Sequence, residues 1–372
     1  MNPPPLRILQ VNSLFRGGGV DNQTTELAAG LREQGDRVFL AVPTGAPLAS
    51  QAKGIDIPIA SFPPNSFLKQ AQIRQLIGLI RQERIQIVHA HHGRDYWPVI
   101  IASRLAGVGA RVVVSRHLMT RPRTVSRWLL LSTADVVAVS RAVEDVLRRN
   151  LHGPIGRLHQ IYGGINVNRF QSERTPAAQA LRDKLAWNDQ TVVFGVVGAF
   201  DLPRGKGQLE FLEAAALLRP EWPNNRYAIA GQGSMRPDLC ERIAALHLES
   251  VVTMIPFTND VPVLMNALDV LVHPAVGTEA LGLVIWEGMA CGKPVVASRL
   301  DGIPEAFVDG EHGLLVKPGD AMALAHALRC LAADSGWRAQ LGQAGRHHVE
   351  RLFTRAHQAV HFHQLYEDII QL

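Results

Sequence analysis

Two glutamates eight positions apart, Glu279 and Glu287, lie in the stretch Thr278–Ser298, TEALGLVIWEGMACGKPVVAS. Between them run Ala280–Leu281–Gly282–Leu283 and then a helix-compatible segment, Val284 to Ala290, which Gly292 and Pro294 stop. Val295–Val296–Ala297 reads as a short buried strand. The order is therefore loop, helix, turn, strand, with free backbone N–H groups at a helix N-terminus near Gly282 and Leu283. Such groups suit a phosphate or pyrophosphate. A carboxylate at the loop mouth and a second about two helical turns later can hold polyol hydroxyls on either side of that anion. A sugar, a diphosphate and a ribose fit this layout; a helix cap followed by a solvated glutamate is the plainer alternative.

A second group of chemistry-bearing residues is histidine-rich. The apolar run Ile85–Ala90 ends in His89–Ala90–His91–His92–Gly93, and the C-terminal ends of strands are where doubly wound folds bind ligands. The HxHH spacing could hold a metal, but nothing nearby repeats a ligand spacing. His89 reads as a buried core residue and His91 as the one facing a site. Arg116–His117 ends another short strand, Arg111–Ser115, and is placed to touch an acceptor or a phosphate.

The elements that position these residues come from apolar patterning. Leu6–Val11 (LRILQV) looks like a buried parallel strand. Phe15–Arg16–Gly17–Gly18–Gly19 follows, then a helix from about Asp21 to Arg32 ended by Gly35. Strand, Gly-rich turn and helix open a Rossmann-type unit, without the GxGxxG fingerprint of NAD binding. Arg37–Val42 and Val136–Ser140 are further strands, and Ser140 begins a helix with an incomplete capping box. Ser66 to Arg84 reads as an amphipathic helix with Ile73, Leu76, Ile77 and Ile80 on one face and Lys69, Arg74, Arg81 and Arg84 as its cations. Such a helix covers a sheet or lies on an anionic membrane. Arg121, Arg123 and Arg127 before Trp128–Leu131 offer the same choice. Thr191–Gly198, Tyr227–Ala230, Val251–Pro256 and Leu268–Val272 are the strands of a second such unit.

The Glu279–Glu287 pattern, with Leu300–Asp320 after it, resembles the E-x7-E signature of retaining GT-B glycosyltransferases of family 4. The resemblance implies an α/β fold of two Rossmann-like, doubly wound parallel-sheet domains facing each other across a cleft. It places an acceptor domain at 1–170, a nucleotide-sugar domain at 171–348, and a final helix at 349–372 that crosses back to the first. Ile161–Phe170 (IYGGINVNRF) is similar to the family's interdomain linker, with glycines suited to a hinge. Lys206–Gly207 matches the basic pair that clamps the donor diphosphate. Ala199 stands where the family has arginine, and Arg204 is the nearby candidate to supply that guanidinium.

The implied donor-binding residues are Gly18, Gly19, Arg204, Lys206, Gly282, Leu283 and Glu287. Glu279, His91 and Lys206 are the implied catalytic residues, and Arg94, Asp95 and Arg116 the implied acceptor contacts. No metal or other cofactor is expected, because basic side chains and a helix N-terminus neutralise the leaving group. The expected partners are a nucleoside diphosphate sugar and a glycan or lipid-linked acceptor, with peripheral contact to an anionic membrane as an open alternative and no nucleic acid. A sugar-nucleotide 2-epimerase and a non-catalytic sugar-nucleotide-binding scaffold are the rivals on the same architecture.

Composition agrees with this frame. The chain of 372 residues is long enough for two cores. No apolar run is long enough to span a bilayer, and the start MNPPPLRILQ lacks the pattern of a secretory signal. Three cysteines without a CxxC pair argue against a disulfide framework or cysteine zinc site and fit a reducing cytoplasm. Residues 1–170 hold 21 Lys and Arg against 10 Asp and Glu, so the net +5 is a basic first half offset by an acidic second. That asymmetry suggests an anionic partner for the first half.

Overall fold

A computed structural model of the chain describes residues 5–14, 18–63, 70–203, 205–258 and 260–371. They divide into two units, Met1–Ile165 with Phe353–Leu372, and Asn166–Leu352. The sequence reading set the first boundary at 170/171 and began the tail at 349.

The first unit alternates strand and helix: β1 (Arg7–Val11), α1 (Gly19–Glu33), β2 (Arg37–Pro43), α2 (Pro47–Lys53), β3 (Ile59–Phe62), α3 (Gln70–Gln82), β4 (Ile87–Ala90), α4 (Tyr96–Ala106), β5 (Arg111–Arg116), α5 (Thr124–Thr133), β6 (Asp135–Ala138), α6 (Arg141–Asn150) and β7 (Leu158–Gln160). The strands form one parallel sheet in the order β3-β2-β1-β4-β5-β6-β7. β1, β4 and β6 are almost wholly buried because helices cover both faces of such a sheet.

The second unit contains α7 (Pro176–Lys184), β8 (Val193–Val197), α8 (Gln208–Leu218), β9 (Arg226–Ala230), α9 (Arg236–Ala245), β10 (Val252–Ile255), α10 (Val261–Ala267), β11 (Val270–His273), α11 (Leu283–Ala290), β12 (Val295–Ser298), β13 (Gly313–Val316), α12 (Ala321–Ala333) and α13 (Ser335–Leu352). Its parallel sheet runs β10-β9-β8-β11-β12-β13. Counted within the unit this is the doubly wound order 3-2-1-4-5-6, which reverses direction between β8 and β11. The first sheet reverses between β1 and β4. At each reversal the helices leave on opposite faces and a crevice opens beyond the strand ends.

Local chemistry sets the helix ends. Ser140 Oγ accepts from the Val143 amide at 3.2 Å, so α6 is capped without the missing acidic partner. Asp320 caps α12 through the Ala323 amide at 2.9 Å. α3 is shorter than the sequence suggests, and residues 66–69, with Lys69, lie outside the described residues. Its Arg81 donates to the carbonyls of Leu105 and Ala106, the C-terminus of α4. That guanidinium satisfies carbonyls the helix leaves open and is spent within the fold, not on a membrane.

The tail is two helices and not one. α13 ends at Leu352, and α14 (Arg355–Gln371) packs on α1 of the first unit. Ala359, Phe362, Leu365, Tyr366 and Ile369 are buried there, and Val360 faces solvent. The chain leaves the first unit after Ile165 and returns at Phe353, and these two stretches pair: the Ile165 amide donates to Phe353 O and the Arg355 amide to Ile165 O, both at 2.9 Å. A Cβ on Gly164 would lie 2.5 Å from Thr354 O. This glycine permits a close backbone crossing, a packing reason for a residue the sequence offered as a hinge.

Candidate active site

In the second unit the predicted residues meet at the sheet reversal. Lys206 follows β8, and Glu279 follows β11. Lys206 Nζ donates to Glu279 Oε2 at 2.6 Å. His273, the last residue of β11, places Nε2 3.2 Å from the same oxygen. Glu279 is also fixed by its backbone: its amide donates to Asp301 Oδ2 at 3.1 Å, and its carbonyl accepts from the Gly302 amide at 3.1 Å. Lys206 is held likewise, its amide donating to Gln208 Oε1 at 2.7 Å. A carboxylate and an ammonium from loops 73 residues apart in sequence are thus set in one geometry by three separate backbone anchors.

The Glu279 carboxylate titrates at about 2, below its ordinary value. Burial alone pushes it up, but the hydrogen bond and charge of His273, and then those of Lys206, outweigh burial. A carboxylate held this strongly in its ionised form is a poor proton donor near neutrality and a good fixed acceptor for hydroxyl groups.

Gly207 lets the Lys206 loop approach β11. Its φ is +83°, and a Cβ there would lie 1.9 Å from Pro274 O. Gly282, in the left-handed region at φ 80°, precedes α11 and offers no side-chain cap. Leu283 is the first residue of α11, so its amide belongs to the open first turn. Glu287 stands in the second turn, partly exposed. Arg204 lies outside the described residues. Ala199, where the family has arginine, contributes a backbone carbonyl that accepts from Gln208 Nε2 at 3.4 Å.

In the first unit, the ends of β1, β4 and β5 adjoin in register. Gly18 precedes α1 with φ 125°, and Gly19 is the first residue of that helix. Arg16 and Gly17 are outside the described residues. His89 is fully buried, with Nδ1 2.7 Å from Tyr366 Oη and Nε2 2.8 Å from Ser115 Oγ. His91 is 3% exposed, and its Nε2 lies 2.5 Å from Gln10 Oε1. The His89 and His91 rings lie 4.1 Å apart, and those of His91 and His117 5.8 Å apart. Burial holds all three histidines neutral: His89 and His91 are lowered well below 6.5, and His117 to about 4, with neighbouring positive groups adding to the effect.

Arg116 donates to Thr120 O and Oγ1 at 2.5 and 2.7 Å, which ties it to its own loop. Arg94 is exposed on the loop after β4. Asp95 departs from expectation. Its carboxylate is fully buried, accepting from the Ser13 amide at 2.8 Å and from Gln72 Nε2 at 2.9 Å. It joins the loops after β1 and β4 to α3, and an acceptor contact would have to break that junction.

The sequence reading passed over His273, Gln10, Gln208 and Asp301. His273 had a usable signal, a histidine at the C-terminal end of an apolar strand, the same one that drew attention to His91. Gln10 had another, a lone polar residue inside LRILQV. Asp301 and Gln208 act on the backbone of residues distant in sequence or in a turn, and no residue pattern announces that.

Two doubly wound α/β units, the second with an ionised glutamate bound to a lysine at its sheet reversal, define a protein of the GT-B fold class. Residues 178–348 match the family described as glycosyl transferases group 1, and residues 17–169 the one described as glycosyltransferase family 4. EpsD of Bacillus subtilis, assigned as a glycosyltransferase, is 30% identical over 82% of this chain and 81% of its own. The phosphatidyl-myo-inositol mannosyltransferase of Mycolicibacterium smegmatis is 28% identical over 87% of this chain and 83% of its own. Anabaena HepE, solved in complex with UDP and glucose, superposes with a TM-score of 0.85 at 24% identity, covering 99% of this chain and 100% of HepE. The chain belongs to the family 4 glycosyltransferases and is a glycosyltransferase, which sets aside the scaffold and epimerase alternatives.

Proposed function

We propose that the protein transfers a hexose from a nucleoside diphosphate sugar, with retention of configuration, to a glycan or lipid-linked acceptor of the cell envelope. The observation that supports it most is the Lys206–Glu279–His273 cluster at the reversal of the second sheet, beside the open N-terminus of α11. Lys206, the first-turn amides at Leu283 and, on the resemblance, Arg204 neutralise the departing diphosphate. Glu279, held ionised, accepts hydrogen bonds from the sugar hydroxyls near the anomeric carbon. Glu287, in the second turn of α11, takes the ribose hydroxyls. Gly18 and Gly19 allow close backbone approach to the diphosphate. Glu279 is not assigned as a nucleophile by analogy with hydrolases, whose paired carboxylates flank the scissile bond at a set spacing. The acceptor attacks the face the diphosphate leaves, and the leaving phosphate takes its proton. These residues do the work without a metal. HepE, whose structure holds UDP and glucose, supports a nucleoside diphosphate sugar as donor.

The acceptor belongs to the first unit, with His91, Arg94 and Arg116 at the strand ends. The mannosyltransferase relative, named for a phosphatidylinositol substrate, favours a lipid-linked acceptor and peripheral work at an anionic membrane. α5 fits that role: Val125, Trp128 and Leu129 are 58%, 62% and 48% exposed on one face, with Arg121 and Arg123 exposed beside them. No helix among the described residues is long and apolar enough to cross a membrane.

Thermal shift against UDP-, GDP- and ADP-sugars identifies the donor, because a bound donor raises stability by mass action. With that donor, Lys206→Met is expected to lower kcat by roughly 10²–10³-fold, the usual cost of one preorganised donor to a developing anion. Unchanged turnover in Lys206→Met and Glu279→Gln would sink the reading. For the membrane, co-sedimentation with anionic but not zwitterionic vesicles is expected, weakened in Trp128→Ser/Leu129→Ser; equal recovery with both vesicle types counts against it.

A further inference from the structure

Gln10 is the fourth of the five residues of β1 and is fully buried. A buried amide is costly unless both of its ends are satisfied, so what it faces is informative. Its oxygen lies 2.5 Å from His91 Nε2, and its nitrogen 3.5 Å from Tyr366 Oη. Tyr366 Oη lies 2.7 Å from His89 Nδ1, and His89 Nε2 2.8 Å from Ser115 Oγ. These five side chains come from β1, the loop after β4, α14, β4 and β5, and form one continuous chain.

Such a chain has a direction. The amide oxygen faces His91 Nε2 and the amide nitrogen faces Tyr366 Oη. An amide oxygen only accepts, so the ring must donate to it. The amide nitrogen then donates to Tyr366, the Tyr366 hydroxyl is left to donate to His89 Nδ1, and His89 Nε2 donates to Ser115. Each member has one consistent role, and the proton on His91 is placed on Nε2. Its other nitrogen, Nδ1, is buried with no hydrogen-bond partner among the described residues.

We propose that Gln10 is a positioning residue that holds His91 as its Nε2–H tautomer, so that His91 presents a lone pair on Nδ1 and accepts a hydrogen bond from a substrate hydroxyl. Which nitrogen of a histidine faces a ligand is commonly set by the bond the other makes. Here the group behind the ring is a neutral amide and not a carboxylate, so the ring is oriented without being drawn toward the imidazolium. A neutral acceptor matches a sugar or acceptor hydroxyl, whereas an imidazolium would match the anionic diphosphate. The hydroxyl part rests on the function proposed above; the tautomer does not.

The test reads the tautomer directly. Side-chain 15N–1H correlation spectra of the full chain report which nitrogen of each histidine is protonated, and the spectrum of His91→Ala assigns the signal by its loss. In the wild type at pH 7.5, His91 is expected as the Nε2–H form. In Gln10→Leu, which keeps the volume and removes the acceptor, the signal is expected to move to a mixture of tautomers. There kcat/KM is expected to fall about tenfold, the worth of one neutral hydrogen bond, with the donor KM little changed. A purely structural glutamine would lower the melting temperature and leave the tautomer alone, which overturns the proposal. A wild-type His91 protonated at Nδ1 overturns it as well and requires no variant of Gln10 to fold. A wild-type Nε2–H signal in a protein that transfers no sugar upholds the tautomer and removes instead the function proposed above.

Discussion

The Glu279 carboxylate is where one residue's chemistry can be read apart from turnover. It is partly buried, yet ionised down to about pH 2 because His273 and Lys206 reward the charged form. A carboxylate with a folded pKa below its unfolded value of about 4.5 gives stability above 4.5, and this is lost as pH falls through 2. The shift corresponds to roughly 3 kcal/mol at most. Glu279→Gln is therefore expected to unfold at a lower urea concentration than the wild type at pH 6. The two are expected to converge as the pH approaches 2.5, followed by circular dichroism. Parallel curves at every pH would mean that the ion pair gives the fold nothing. Residue types and spacing singled out Glu279 and Glu287, tied to a loop and a helix that propensity also predicts, and the family resemblance singled out Lys206. They did not reveal that Asp95 is buried. Its partners, the Ser13 amide and Gln72, lie 82 and 23 residues earlier in the sequence, and beside Arg94 it reads as a surface loop residue.

At the level of elements, the parallel strands were legible because a strand covered on both faces reads as an unbroken apolar run. Helix ends were less so. α1 starts at Gly19, two residues before the expected start, because a glycine turn leads directly into it. The tail separates into α13 and α14 because Phe353 and Thr354 are drawn into a backbone pairing with Ile165 that no local pattern encodes. The loop between β8 and α8 is the element on which the site most depends. Its last residue, Gly207, combines a left-handed backbone with an approach to Pro274 O that no side chain fits. Gly207→Ala is expected to cost about 1–3 kcal/mol for the backbone conformation alone. The steric contact should also push the loop and Lys206 away from Glu279, so turnover should fall even at a temperature where the variant is fully folded. Loss of stability with normal turnover would show that Lys206 does not depend on this approach.

For the molecule as a whole, five wholly or partly buried histidines set the response to acid. His89, His91 and His117 lie in the first unit, and His312 and His348 stack at 4.2 Å in the second. Burial lowers the pKa of each, with nearby positive charge contributing, and His117 and His348 reach about 4. The sign is opposite to that of a histidine with an acidic partner. The unfolded chain takes up protons first, near 6.5, while the folded chain takes them up only at lower pH. Stability therefore falls as soon as the pH drops below about 6.5 and keeps falling until the folded groups titrate. Both units carry such groups, so neither is protected by the other. The sequence displayed these histidines, fifteen in all, but not which are buried, since that depends on α14 returning to cover His89 and on α13 covering His312. The expected result is a urea midpoint that is level from pH 8 to 7 and declines steadily from 6.5 to 4.5, before Glu279 begins to matter. Replacing His89 and His117 together by asparagine should flatten the upper part of that decline. A midpoint that stays constant from pH 7 to 5 would show that these rings take up protons in the folded protein as readily as in the unfolded chain, and the neutral state assigned to His91 would fall with it.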